Sequence, residues 1–302
     1  MQSAADSLRD IRARIAAHAR PDLLTPIDGL LMSKVMSASA GQEYSLTEPL
    51  VVVMAQGGKR LLLGDDVHEY RAGECLVVTA SLPVTGYYID TTAGSPSLAV
   101  ALVLRPAVVA ELVLQTPAAR WTRADNSAMS TGKASPELLD AVVRLLRLID
   151  APADASVLAP MIEREIIWRL LTGPQGGTIR QIGLPDSDVS LVSRAIDWIR
   201  ENYAEPMTID DLARLCGMST SAFHRHFRGV TAVSPLQFQK RIRLQEARSL
   251  LVARPGDVAG VGHRVGYDSP SQFNREYRRL FGVPPGQDAA QLRADVVLER
   301  GL

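Results

Sequence analysis

Residues 209–285 of this 302-residue chain contain the same pattern twice, and that repeat limits the possible folds more than any other feature. Ile209, Leu212, Ala213 and Gly217 match Val258, Val261, Gly262 and Gly266, each pair 49 positions apart. Ser221, Phe223, Arg225, Phe227, Arg228, Val233 and Pro235 match Ser271, Phe273, Arg275, Tyr277, Arg278, Val283 and Pro285, each pair 50 apart. One residue is therefore inserted in the second turn. Each copy reads as a short helix, a glycine turn and a second helix. The glycine falls where a left-handed residue would stop the first helix. Ala213 is small where two helices would cross closely. Together these features spell a helix-turn-helix, and two such matches at a constant offset, each closed by an apolar-Pro signature, make a strong signal.

The second helix of each copy is the one expected to enter a DNA major groove. In the first, Phe223 and Phe227 must face the core, which leaves Thr220, Ser221, His224, Arg225 and Arg228 to the sides or outside. In the second, Ser269 caps and Pro270 takes the first helical position. Phe273, Tyr277 and Leu280 form its buried stripe, so Ser271, Gln272, Arg275, Arg278 and Arg279 point outward. Arg and Gln suit bidentate contacts to guanine and adenine, and His can reach a base acceptor. Arg228 and Arg278 suit phosphates. Between the copies, Pro235–Val252 reads as one strong helix capped by Ser234. Its ~18 residues would make a rod of about 27 Å. The two reading helices would then sit roughly one DNA turn, about 34 Å, apart. Gly260 and Gly262 weaken the first helix of the second copy by ~1 kcal/mol each in propensity, so fraying is expected there.

Charge points the same way. Net charge is zero overall, but residues 1–190 sum to −4 and residues 191–286 to +5. A basic region beside an acidic one suits a polyanionic partner. Apolar runs such as Ser97–Leu104 are far short of the ~20 residues a membrane span needs. The start, MQSAADSLRDIRARI, has no continuous apolar stretch, so no signal peptide and a cytoplasmic location are expected. Cys75 and Cys216 stand 141 positions apart and form neither a metal-ligand spacing nor a disulfide framework.

The first half has a different texture. Residues 3–18 read as an amphipathic helix. Strand-like runs follow at Leu50–Ala55, Arg60–Leu63, Cys75–Thr79, Thr85–Asp90 and Ser97–Leu104, separated by Gly-rich turns, which favours a small barrel or sandwich. Helices are expected at Pro106–Gln115, after a Ser135 cap, and at Ala155–Leu171. The last two could complete the core, form a dimer seam, or both. Gly173–Ser187, rich in Gly and Pro, reads as an interdomain linker. Thr208 and Asp211 stand in capping-box spacing.

The C-terminal region resembles the AraC/XylS family of transcription regulators. The matching residues are Lys240-Arg241-Ile242-Arg243, Ala247-Arg248-x-Leu250-Leu251, Gly266-Tyr267, Ser271-x-Phe273-x-Arg275 and Phe281-Gly282-Val283-Pro284-Pro285. Residues 27–115 resemble the sensory domain of one subfamily, through the run Gln56–Asp65 and Leu82-Pro83-Val84-Thr85-Gly86. The resemblance implies an α+β chain. A cupin-like β-barrel with flanking helices spans residues 1–184 and binds an effector or mediates dimerisation. An all-α DNA-binding domain of two helix-turn-helix units joined by a long helix spans 185–302. It also implies a homodimer on double-stranded promoter DNA, a small-molecule effector and, for an activator, RNA polymerase as partner. An effector would meet inward side chains of the strands, for which Val52, Met54, His68, Cys75, Tyr88 and Leu102 are candidates. Cys75 is in addition a possible electrophile or oxidant sensor. Metal-binding cupins need clustered imidazoles with a carboxylate. This half has only His18 and His68, so neither metal, cofactor nor enzymatic activity is expected.

Overall fold

Near-continuous apolar runs set the central strands of the N-terminal half, and left-handed turn glycines at 57, 64 and 73 separate several of them. A computed structural model describes residues 3–36, 42–92, 94–117, 127–254 and 256–300. Helix α1 (Ala4–His18) is capped by Ser3, whose hydroxyl accepts from the Asp6 amide. The strands are β1 (Leu30–Val35), β2 (Glu43–Leu46), β3 (Leu50–Gln56), β4 (Gly58–Leu63), β5 (Asp66–Arg71), β6 (Glu74–Val78), β7 (Pro83–Ile89), β8 (Ser97–Val103) and β9 (Met129–Lys133). They build two antiparallel sheets, β1-β8-β3-β6-β9 and β2-β7-β4-β5. The hydrogen-bonded ladders stay in two separate sheets rather than closing into one barrel.

The first sheet is covered by helices α2 (Pro106–Gln115), α3 (Pro136–Arg147) and α4 (Pro152–Leu171), together with α1. Register pairs Val51 with Val77 and Leu102, and Val53 with Cys75 and Val100, on one face. These residues share one core with Ile11, Ile15, Leu138, Val142, Leu145 and Ile166 of the helices. Ser135 caps α3 as expected, accepting from the Leu138 amide, with Pro136 next in line. The opposite face, with Val52, Met54 and Leu76, looks toward the second sheet.

The stretch Gly173–Ser187 is not a linker. It contains helix α5 (Gly176–Gly183), and nearly all of that helix is buried. Its glycines mark close backbone approaches. A Cβ on Gly176 would stand 2.0 Å from the Leu171 carbonyl oxygen, and one on Gly183 would stand 2.8 Å from the Ala110 amide of α2. Glycine content therefore signalled packing here, not freedom.

The C-terminal half is helical: α6 (Asp188–Glu201), α7 (Ile209–Leu215), α8 (Thr220–Thr231), α9 (Pro235–Ala253), α10 (Val258–Arg264), α11 (Pro270–Phe281) and α12 (Pro285–Arg300). The chain divides into two compact units, residues 1–193 with 226–232, and residues 194–225 with 233–302. In the second unit Leu244, Ala247, Leu251, Val261, Val265, Tyr267, Phe273 and Tyr277 form one core cluster.

Replacing Gly183 by Ala forces the added methyl onto α2 backbone that cannot rotate away. Urea unfolding should read a loss of about 1–3 kcal/mol, typical of overpacking a tight contact.

Candidate nucleic-acid interface

The two repeats close their turns with the same hydrogen bonds. Gly217 and Gly266 both adopt left-handed backbone, at φ +68° and +88°. The Met218 amide donates to the Ala213 carbonyl at 2.9 Å, and the Tyr267 amide donates to the Gly262 carbonyl at 3.0 Å. These are the long bonds that terminate a helix on a left-handed residue. The next helices start alike: the Ser219 hydroxyl accepts from the Ala222 amide, and the Ser269 hydroxyl from the Gln272 amide. They also end alike, on left-handed Ala232 and Gly282. The backbone thus repeats atom for atom at the points where the residues repeat.

Helix periodicity then separates two stripes on each second helix. Phe223, Phe227 and Val230 are buried on α8, and Phe273 and Tyr277 on α11. About half a turn away, Ser221, Arg225 and Arg228 are exposed, as are Ser271, Arg275, Arg278 and Arg279. His224 is exposed on the flank. Thr220 is exposed too, but its hydroxyl donates to Asp210 at 2.8 Å, which ties α8 to α7. Gln272 is half-buried and its amide donates to Glu276 at 3.2 Å. Glu276 also accepts from Lys240 and from the Tyr267 hydroxyl. Position 276 corresponds to His226, which faces Asp188 at 2.8 Å. At this matched position both copies turn a side chain toward a neighbouring helix.

Gly262 takes the place of Ala213 at a close approach of two helices. A Cβ there would meet the Phe273 ring at 3.0 Å. Helix α10 is formed, with the Asp257 carboxylate accepting from the Gly260 amide at its start. Helix α9 fixes the surrounding turns. Its Ser234 and Gln237 form a reciprocal capping box. Arg243 donates to the carbonyls of Tyr203 (2.6 Å), Gly266 (2.7 Å), Ala204 (3.1 Å) and Glu205 (3.2 Å). Arg248 forms a two-pronged pair with Asp288, at 2.7 and 3.1 Å, and the Tyr277 hydroxyl donates to the same carboxylate. Cys216 is buried in this half.

The six candidate effector residues of the N-terminal half do not converge on one cavity. Val52, Met54, His68 and Tyr88 lie on the inter-sheet side, whereas Cys75 and Leu102 belong to the helix-facing core. The Cys75 thiol is fully buried, and burial, reinforced by Glu74, pushes it up to about 11. That environment keeps it a thiol, not the reactive thiolate.

On the inter-sheet side, a lysine missed in the sequence stands among them. Lys59 pairs with Glu43 at 2.8 Å, contacts the Tyr88 hydroxyl at 3.3 Å and lies over the Tyr88 ring. Burial alone would lower its pKa, but Tyr88 and Glu43 outweigh burial and raise it. The parity of Gly58–Leu63 could have revealed it, since Lys59 alternates with Leu61 and Leu63. The Tyr88 hydroxyl reaches Ser33 on the other sheet at 3.4 Å. His68 Nε2 is buried there without a hydrogen-bond partner. Among the described residues no group of three or more His, Cys, Asp and Glu could hold a metal ion. No helix among them is long and apolar enough to cross a membrane.

Residues 26–178 match the AraC-type transcriptional regulator N-terminus family, and residues 212–291 match a helix-turn-helix domain family. The chain belongs to the AraC-type transcriptional regulators. It is 26% identical over 155 residues to the HTH-type transcriptional regulator ArgR of Pseudomonas aeruginosa, covering 51% of this chain and 47% of ArgR. It is 25% identical over 162 residues to the HTH-type transcriptional activator RhaS of Salmonella schwarzengrund, covering 52% and 58%. The chain therefore spans about half the length of the curated relatives it matches. Its fold resembles that of fatty acid-bound ToxT from Vibrio cholerae, with TM-score 0.56, 11% identity, and coverage of 86% of this chain and 93% of that one.

Arg243→Met strands the Ala204 and Gly266 carbonyls, while Gln239 still donates to those of Tyr203 and Glu205, and each buried unpaired group costs ~1–3 kcal/mol. Thermal or urea unfolding of the C-terminal half should show a loss of about 2–4 kcal/mol. Arg243→Lys should recover only part, because an ammonium lacks the planar fork. Burial holds the His68 pKa below its ordinary value. The folded chain thus favours neutral imidazole, while the unfolded chain takes up a proton below about pH 6.5. This stabilising contribution is present at pH 7 and falls away toward pH 5. His68→Gln should flatten that part of the urea-midpoint profile.

Proposed function

We propose that this chain is a sequence-specific DNA-binding transcription regulator whose N-terminal half takes a small-molecule effector. The observation that carries the reading is the duplicated helix-turn-helix, with Arg225 and Arg275 exposed at matched positions opposite the buried aromatic stripes. Arg225 and Arg275 reach base edges, and Ser221, His224, Ser271 and Gln272 supplement them. Arg228, Arg278 and Arg279 hold phosphates, and the Thr220 hydroxyl braces the helix start. Helix α9 sets the spacing, so one protomer reads two adjacent major grooves. The names of ArgR and RhaS as transcription regulators support this reading.

The effector meets the inter-sheet face, where Lys59, Tyr88 and the unpartnered His68 nitrogen supply polar contacts and Val52 and Met54 supply apolar ones. The ligand in the ToxT structure, an unsaturated fatty acid, is a precedent for an effector on this fold. Residues 1–184 act as the effector and dimerisation domain and 185–302 as the DNA-binding domain. The working form is a cytoplasmic homodimer on double-stranded promoter DNA, and RNA polymerase is the further partner if the chain activates. Effector binding shifts the population between two arrangements of the DNA-binding domains.

Fluorescence anisotropy with a duplex from upstream of the chain's own gene tests the reading, against a scrambled duplex across a salt series. Arg225→Ala and Arg275→Ala should each weaken the specific complex by about 1–3 kcal/mol, roughly fivefold to 150-fold, and narrow its margin over the scrambled duplex. Equal affinity for both duplexes, with a salt slope unchanged by either variant, would leave only non-specific phosphate binding.

A further inference from the structure

The N-terminal half has a cavity of about 360 Å³ on the helix side of the first sheet, away from the inter-sheet face. Ile27, Leu102, Leu145, Leu148 and Ala159 give it apolar walls, and Glu163 lies in its lining. The size falls within the range of small-molecule sites, about 300–1,000 Å³.

The polar groups of this cavity are short of donors. Glu163 is only 6% exposed, and its Oε1 accepts no hydrogen bond. Arg105 is the nearest cation, but its Nε stands 3.5 Å from that oxygen, and its Nη2 is committed to Asp28 at 2.8 Å. Burial raises the Glu163 pKa, and Arg105 offsets this only in part. A second acceptor comes from the backbone. Pro160 sits inside α4 and has no amide to give to the Ser156 carbonyl four residues earlier. Both Ser156 and Pro160 line the cavity. The Asp28 carboxylate is almost fully exposed, so solvent rather than the cavity takes up its charge. A buried carboxylate whose cation stands 3.5 Å away, with no hydrogen bond to its Oε1, is costly until a closer donor reaches it.

We infer that this cavity is a second ligand site, which takes a small amphipathic amine with its ammonium on Glu163 and Ser156 and its hydrocarbon body against Leu102, Leu145 and Leu148. The site requires neither the DNA contacts nor the inter-sheet effector face proposed above. It goes beyond them by assigning the helix layer a ligand of its own, with the opposite charge preference from an acid.

Calorimetric titration of the full chain with cyclohexylmethylamine tests it. Cyclohexylmethanol and cyclohexanecarboxylate serve as neutral and anionic counterparts of the same body. The amine should bind one per chain, at least tenfold tighter than either counterpart. Glu163→Gln keeps the shape and removes the charge, and should weaken the amine at least tenfold. Ala155→Leu, on the cavity wall but outside the buried core, should abolish binding with the thermal midpoint retained. Failure of the amine to bind the wild-type chain overturns the inference. So does equal binding of amine and alcohol, or amine binding that both variants leave unchanged.

Discussion

Arg243 holds the C-terminal helices in place. Its guanidinium collects carbonyls from the turn after α6 and from the glycine turn of the second repeat. Neither turn can satisfy these oxygens internally, because each lies just past a helix end. One planar group with five donors meets the need in a way that an ammonium cannot. Gln239, one helical turn earlier, donates to the Tyr203 and Glu205 carbonyls and so reinforces the first turn. The exposed arginines depend on this scaffold, since an outward side chain is only as well aimed as the turns that hold its helix.

The Arg248–Asp288–Tyr277 set works alongside Arg243 at the far side of α9. Asp288 is 4% exposed, yet it is matched by a two-pronged cation and a phenol. Full satisfaction is what makes such a buried charge tolerable. It links α9, α11 and α12 through side chains rather than through apolar contact alone. Glycine serves the same scaffold by its absence of bulk. At 262 it admits the Phe273 ring, and at 266 a left-handed turn passes within reach of Arg243.

Much of this was legible in the sequence. The repeat offsets located both glycine turns and both buried aromatic stripes. Ser135, Thr208, Ser234 and Ser269 announced their helices, because a cap is a local interaction and leaves a local signal. What failed was whatever depends on distant partners. The Gly173–Ser187 stretch looked like a tether because its glycines answer to tertiary packing, and the α2 backbone that demands Gly183 lies some 70 positions earlier in the chain. Strand β5 was hidden by its charge, since Asp66, Glu69 and Arg71 dilute its apolar signal. The inward or outward parity of Val52 against Cys75 and Leu102 is a matter of register across three strands, and no single strand encodes it. Lys59 and Glu163 were passed over because a buried charge is recognised by what surrounds it.

The repeats share a backbone but not all of their outward chemistry. Ala222 and His224 of the first correspond to Gln272 and Asn274 of the second. A two-fold dimer of identical readers matches a palindrome. Under the proposed function, two unlike readers on one chain would not, because the halves of their DNA site would differ as the side chains do. A single bound protomer would therefore have a front and a back along the duplex, and reversing its site would turn the whole molecule to face the other way.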